Sequence, residues 1–167
     1  IAHGLARVAR WNGQTRGAHA FSVAQHCVLV EQIVRHTDVK LDRAGRLAAL
    51  LHDAPEYVIG DMISPFKAAL GLDYKAFEKR LMGAIHIRFG LPPENSEKLE
   101  ILIKKADRMA AYLEATQLAG FGLTEAERFF GRPRGLGGDG SQKFHRLKPL
   151  APVEAAALYL RTFHKLA

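Results

Sequence analysis

The sequence predicts an all-α, single-domain protein. Three observations carry that expectation. Apolar residues recur at helical spacing in successive stretches, and capping residues bracket those stretches. No stretch alternates with period two, and no Asn-Gly or Asp-Gly pair sits between alternating apolar runs. The length of 167 residues suits one domain and can bury a core without staples.

Taken in order, Ser22 with Gln25 gives the Ser-x-x-Gln of a capping box, opening the helix "SVAQHCVLVEQIVRH". Val23, Cys27, Val30 and Val34 form its apolar stripe. A second helix runs from Asp42 to about Ala54, with Ala44, Leu47, Ala48 and Leu51 inward. Pro55 disfavours helical geometry at Ala54 and ends it. The stretch "YVIGDMISPFKAALGL" reads as a loop with at most one short turn. A third helix, "DYKAFEKRLMGAIHIRFG", is closed by Gly90 and Pro92-Pro93. The fourth and longest, "SEKLEILIKKADRMAAYLEATQLAG", carries the stripe Leu99, Leu102, Ile103, Ala106, Ala110 and Leu113. Residues 131–143, "GRPRGLGGDGSQK", read as a mobile Gly/Arg-rich loop, and a last helix spans about 151–166. The expected architecture is about five to seven helices, residues 1–167, with no interior boundary.

Composition narrows the function classes. The hydrophobic fraction of 48% and charged fraction of 25% are ordinary for a soluble domain. No apolar run approaches the ~20 residues that span a bilayer, and no signal-peptide pattern is legible, so no membrane partner is expected. The single cysteine, Cys27, excludes an internal disulfide and fits a cytoplasmic location. A net charge of +7 favours an anionic partner: nucleotide, nucleic acid or anionic lipid.

Two formal motifs fail on context. Gly135-x-Gly137-x-x-Gly140 has neither a strand before it nor a helix opening on it, and Ser141-Gln142 stands where a phosphate loop needs Lys and Ser/Thr. Cys27 follows His26, but helix neighbours point about 100° apart, and Cys27 lies on the apolar stripe as a structural thiol.

The histidines and carboxylates say more. His26 sits on the stripe of the first helix, His52-Asp53 end the apolar run of the second, and Asp107 borders the stripe of the fourth. Each alone reads as a hydrogen-bonded core histidine or a salt-bridged carboxylate, with Lys104 or Arg108 as partners for Asp107. A buried carboxylate is costly unless paired or bound to a cation. If the three helices pack together, His26, His52, Asp53 and Asp107 converge on one ion. Such a mixed nitrogen and oxygen site suits one divalent transition metal: Mn, Co, Fe, Zn or Ni.

"SVAQH", "LAALLHDAPE" and "IKKADR" together resemble the signature of the HD superfamily of metal-dependent phosphohydrolases, His, then His-Asp, then Asp, on a helical bundle. "HDAPEYVIGDMISPFK", the early "RW" and "FGLPP" are similar to the YfbR/YfdR-like branch, bacterial 5'-deoxynucleotidases, over about residues 7–120. The resemblance implies His26, His52, Asp53 and Asp107 as metal ligands. It implies Glu56 acting on the attacking water and Asp61 supporting chemistry or substrate position. It implies Arg10 and Trp11 at the nucleotide and Lys67 facing phosphate. The expected activity is hydrolysis of (deoxy)ribonucleoside 5'-monophosphates, with a small-molecule nucleotide as partner and a homodimer admitted by the resemblance alone. The alternatives are an HD-type phosphodiesterase or nucleotide-alarmone hydrolase and, less favoured, a basic nucleic-acid-binding module without turnover.

Overall fold

The computed structural model describes residues 1–62, 72–136 and 144–167. Lys67, and most of the Gly135–Gly140 fingerprint, lie outside these described residues. The fold is all-helical, with no strand among the described residues. In chain order it runs α1 (Ala2–Leu5), a 3-10 turn (Arg10–Gly13), α2 (Val23–Thr37), α3 (Arg43–Leu51), α4 (Glu56–Ile59), α5 (Leu72–Arg88), α6 (Glu97–Gln117), α7 (Leu123–Phe130) and α8 (Pro152–His164).

The expected Ser22 cap forms, but the Gln25 side chain does not close the box and turns to Lys148 and Leu150 instead. Ser22 accepts from Gln25 N–H to start α2, Asp42 from Gly45 N–H to start α3, and Ser96 from Leu99 N–H to start α6. Each satisfies one of the orphan donors of a helix's first turn.

The most deeply set helix is α2: Val23 through Glu31 are all buried. It packs against α3, α6 and α8, while α1 packs on α8 and α4. An apolar stripe alone would leave one face of α2 in water. Its near-continuous burial instead follows from neighbours on several sides, and it carries His26 into the interior. Glu31, at 2% exposure, requires a partner there. Arg46 on α3 supplies it, donating from Nε at 2.8 Å and Nη2 at 2.6 Å to Glu31 Oε1.

Two differences from the sequence reading have local causes. Ala44 is exposed, and Gly45 takes the inward position instead. Leu41 folds back over that spot, so a Cβ on Gly45 would lie 2.6 Å from Leu41 Cδ1. The region after Phe121 holds a short helix, α7, whose Phe130 ring meets Trp11. Its eight residues are too few for a periodic stripe to stand out.

Two glutamines fasten the C-terminal segment. Gln25 bridges Lys148 C=O and Leu150 N–H, and Gln117 bridges Phe144 C=O and Leu147 N–H. Four backbone groups between residues 144 and 150 thus find side-chain partners outside any regular ladder. No helix among the described residues is long and apolar enough to cross a membrane.

Candidate metal centre

The site forms where α2, the end of α3 and the middle of α6 meet. His26 is fully buried on α2. His52 caps the C-terminus of α3, and its Nδ1 lies 2.9 Å from the Ala49 carbonyl oxygen. A carbonyl only accepts, so His52 Nδ1 carries a hydrogen and Nε2 is turned toward the site. Asp53 follows, with Oδ2 at 3.3 Å from His52 Nε2 and 3.4 Å from His26 Nε2. Asp107 Oδ1 reaches His26 Nε2 at 3.1 Å from α6.

These short distances are not hydrogen bonds. Neither His26 Nε2 nor His52 Nε2, both buried, has a partner in hydrogen-bond alignment among the described residues. Ligand atoms of His26, His52 and Asp53 all lie within 4.8 Å of one another. Atoms that crowd together without pointing at one another suit a shared cation between them, and this donor set fits a divalent transition ion. Asp107 joins the group through His26 from a half-exposed position.

A second layer holds the first. Glu114, fully buried two turns beyond Asp107 on α6, takes His26 Nδ1–H at 2.6 Å on Oε1. Its Oε2 accepts from Trp11 Nε1–H at 2.8 Å and Arg10 Nε–H at 3.3 Å. This orients the imidazole with Nε2 toward the cluster, the usual carboxylate–histidine support of a metal ligand. The sequence reading missed Glu114. The available signal was its spacing, since residues seven apart share a helix face.

Arg10 and Trp11 are brought in by an unusual turn. Ala9 pairs with Ser22 as an isolated antiparallel bridge, with Arg10 N–H on Phe21 C=O. Trp11 and Asn12 then adopt left-handed backbone, at φ 57° and 51°. Left-handed geometry is rare for a bulky residue and marks a place where surroundings impose it. Here the indole is held by Glu114 and by the rings of Phe121 and Phe130, at 5.5 and 5.8 Å. Arg10 Nη1 also reaches both oxygens of Asp61 at 3.4 Å. Asp61 follows Gly60, whose φ of +77° only glycine adopts freely.

Glu56 opens α4 one turn past His52–Asp53 and is 2% exposed. Pro55 is itself helical and serves as N-cap of α4, so the chain coils through tight turns between α3 and α4 rather than opening into a loop at once.

The electrostatics follow from the crowding. Burial and the Arg10 guanidinium press the His26 pKa down, but Glu114, Asp107 and Asp53 outweigh them and hold it well above the usual value. Burial also opposes protonation of His52, and Asp53 overcomes it, again well above the usual value. Burial pushes Asp53 up, yet His52 and His26 hold it well below the carboxylate range. Asp107 is lowered against its own burial by His26, and Glu114 against its own by Arg10 and His26. Without a cation, protons on the imidazoles balance the carboxylates. A metal ion would displace those protons. Cys27 is buried beside His52, and burial raises its thiol pKa, as suits a structural residue.

The relatives agree with this chain over its whole length. It is 49% identical, over 171 aligned positions, to an uncharacterized protein of Rhodobacter capsulatus, covering 99% of this chain and 83% of that protein. It is 30% identical over 167 positions to the uncharacterized protein YfdR of Escherichia coli, covering 100% of this chain and 82% of YfdR. The chain belongs to the YfdR family. No family model matches it. The YfdR-family chain thus shares its full span with these relatives, the α2, α3 and α6 segments that meet at the His-Asp cluster included.

Proposed function

We propose that this YfdR-family chain is a metal-dependent phosphomonoesterase of the HD type, hydrolysing (deoxy)ribonucleoside 5'-monophosphates to nucleoside and phosphate. The observation that carries the reading is the convergence of two buried imidazole nitrogens and carboxylate oxygens at 3.1–3.4 Å without hydrogen-bond alignment. The nucleotide class rests on the resemblance to the YfbR/YfdR-like deoxynucleotidases.

His26, His52, Asp53 and Asp107 are the residues we assign to one divalent ion: Mn, Co, Fe, Zn or Ni. When bound, such an ion polarises a phosphoryl oxygen and lowers the pKa of a coordinated water. Glu114 fixes His26 in the tautomer that leaves Nε2 for the ion. Glu56, a buried carboxylate, is assigned the proton of the attacking water. Asp61 and Glu114 hold Arg10 by Nη1 and Nε, and the remaining Nη2 edge is assigned to the phosphoryl oxygens. Trp11 contributes a packing face to sugar or base, and Lys67 a second cation, both by resemblance.

The test is phosphate release by chelator-stripped protein, with Mn²⁺ or Co²⁺ restored, from a panel of 5'-monophosphates, cyclic nucleotides and pyrophosphate-bearing nucleotides. Release from 5'-monophosphates that requires the metal and vanishes with Asp53→Asn is expected. Release from the diesters or pyrophosphates alone assigns the phosphodiesterase or alarmone reading instead. Salt-sensitive oligonucleotide binding without turnover assigns the nucleic-acid module.

A further inference from the structure

His86 has no role in the chemistry above, yet its setting demands one. It lies on α5, 1% exposed. Its Nδ1 sits 3.0 Å from the Pro92 carbonyl oxygen, which can only accept, so Nδ1 carries a hydrogen. In the neutral ring Nε2 then presents a lone pair. That nitrogen is buried and finds no hydrogen-bond partner among the described residues. A buried polar atom without a partner is uncommon in folded proteins and calls for a reason.

His86 borders a cleft of about 540 Å³ that His52, Asp53 and Asp107 also line. His86 therefore shares one cavity with the candidate metal centre. The same cavity is bordered by Asn95 and Glu100, with Asn95 Nδ2 donating to Glu100 Oε1 at 3.2 Å. That bond uses one of the two amide hydrogens of Asn95, which also carries a carbonyl oxygen as an acceptor. His86 Nε2 is thus an acceptor in a cleft that the donors Lys75, Lys79 and Lys104 also line. The arrangement repeats that of His52, whose Nδ1 is likewise fixed by a backbone carbonyl.

We propose that this cleft receives the leaving alcohol of the substrate, and that His86 Nε2 accepts a hydrogen bond from a hydroxyl or amino group on it. His86 is then a specificity-determining residue. It selects phosphate esters of donor-bearing alcohols, such as nucleosides, over esters of apolar alcohols. A site built to bond a hydroxyl or amine penalises an analogue lacking it, because its own buried acceptor stays unpaired. The inference deepens the phosphomonoesterase reading and rests on it.

Two variants separate contact from structure. In His86→Asn the amide can still donate to Pro92 C=O, but nothing reaches the Nε2 position. In His86→Gln an acceptor is kept near Nε2. The metal-loaded proteins are compared on deoxyadenosine 5'-monophosphate and on p-nitrophenyl phosphate, whose leaving group carries no donor. His86→Asn is expected to lose about tenfold in kcat/KM on the nucleotide, as for one lost hydrogen bond, and less than twofold on p-nitrophenyl phosphate. His86→Gln recovers most of the nucleotide activity. Equal losses on both substrates, or none on either, overturn the proposal. If the wild-type protein hydrolyses neither ester, the phosphomonoesterase reading fails by itself. The ¹⁵N resonance of His86 Nε2 then decides the contact: a shift on adding deoxyadenosine 5'-monophosphate supports it, and an unmoved resonance overturns it.

Discussion

Replacing Glu114 with glutamine changes one atom type and sets donors against donors. Oε1 of Glu114 serves His26 Nδ1–H, while Oε2 serves both Trp11 Nε1–H and Arg10 Nε–H. An amide has one acceptor to offer. If its oxygen faces His26, its NH₂ meets the indole and guanidinium donors. If its oxygen faces Trp11 and Arg10, its NH₂ forces the hydrogen of His26 from Nδ1 to Nε2, where the ion must bind. Glu114 is fully buried, so water cannot relieve either conflict. Removing one partner of a buried charged network costs about 3–5 kcal/mol, and the retained shape of Gln argues for the lower end, about 3 kcal/mol. For a chain of this size that lowers Tm by roughly 6–12 °C. Loss of such a supporting carboxylate also weakens metal affinity by roughly 10–100-fold. Thermal melting of the chelator-treated protein and calorimetric titration with Mn²⁺ read the two effects separately. Glu114→Gln melting within 2 °C of wild type, with unchanged Mn²⁺ affinity, would refute the assignment of Glu114 as the support of His26.

Three further outcomes follow from the same geometry. The raised pKa values of His26 and His52 give the metal-free protein stability that is complete below about pH 6.5 and is lost as pH climbs through their folded values. The lowered Asp53, Asp107 and Glu114 values give stability lost only as pH falls below about 4. Melting of the stripped protein is therefore expected to decline as pH rises above about 6.5, while the Tm gain on adding Mn²⁺ grows over the same range, since the ion competes with fewer protons. A stripped protein whose Tm rises over that range contradicts this. Arg46→Met leaves Glu31 buried without its cation and is expected to cost about 3 kcal/mol in urea unfolding, with Mn²⁺ affinity unchanged. Asp42→Ala removes the α3 cap, bonded at 2.8 Å to Gly45 N–H, and is expected to lower stability by about 1 kcal/mol.

How much of this was legible in the sequence depended on the range of the interaction. Ser22 acts on backbone three residues away, so its cap was read directly, and Asp42 and Ser96, which act over the same range, stood at the starts of expected helices. His26, His52 and Asp53 stood out because metal-capable side chains interrupted apolar stripes, and the helices do bring them together. Ala44 and Gly45 were misread because a loop residue, Leu41, decides which of them faces inward. Glu114 and His86 were passed over for a different reason. Each looks like an ordinary polar residue in a helix until partners far away in sequence, His26 and the cleft wall, give it meaning. Trp11 shows the same limit, since its contacts with Phe121 and Phe130 reach past the C-terminal end of the region that carries the resemblance.

The central claim is that His26, His52 and Asp53 hold a divalent ion. Anomalous diffraction from crystals grown with saturating Mn²⁺ tests it most directly. The account predicts one peak per chain between His26 Nε2, His52 Nε2 and the Asp53 carboxylate, absent in Asp53→Asn crystals. Well-ordered crystals with no peak there, or with a peak indifferent to Asp53→Asn, would contradict it.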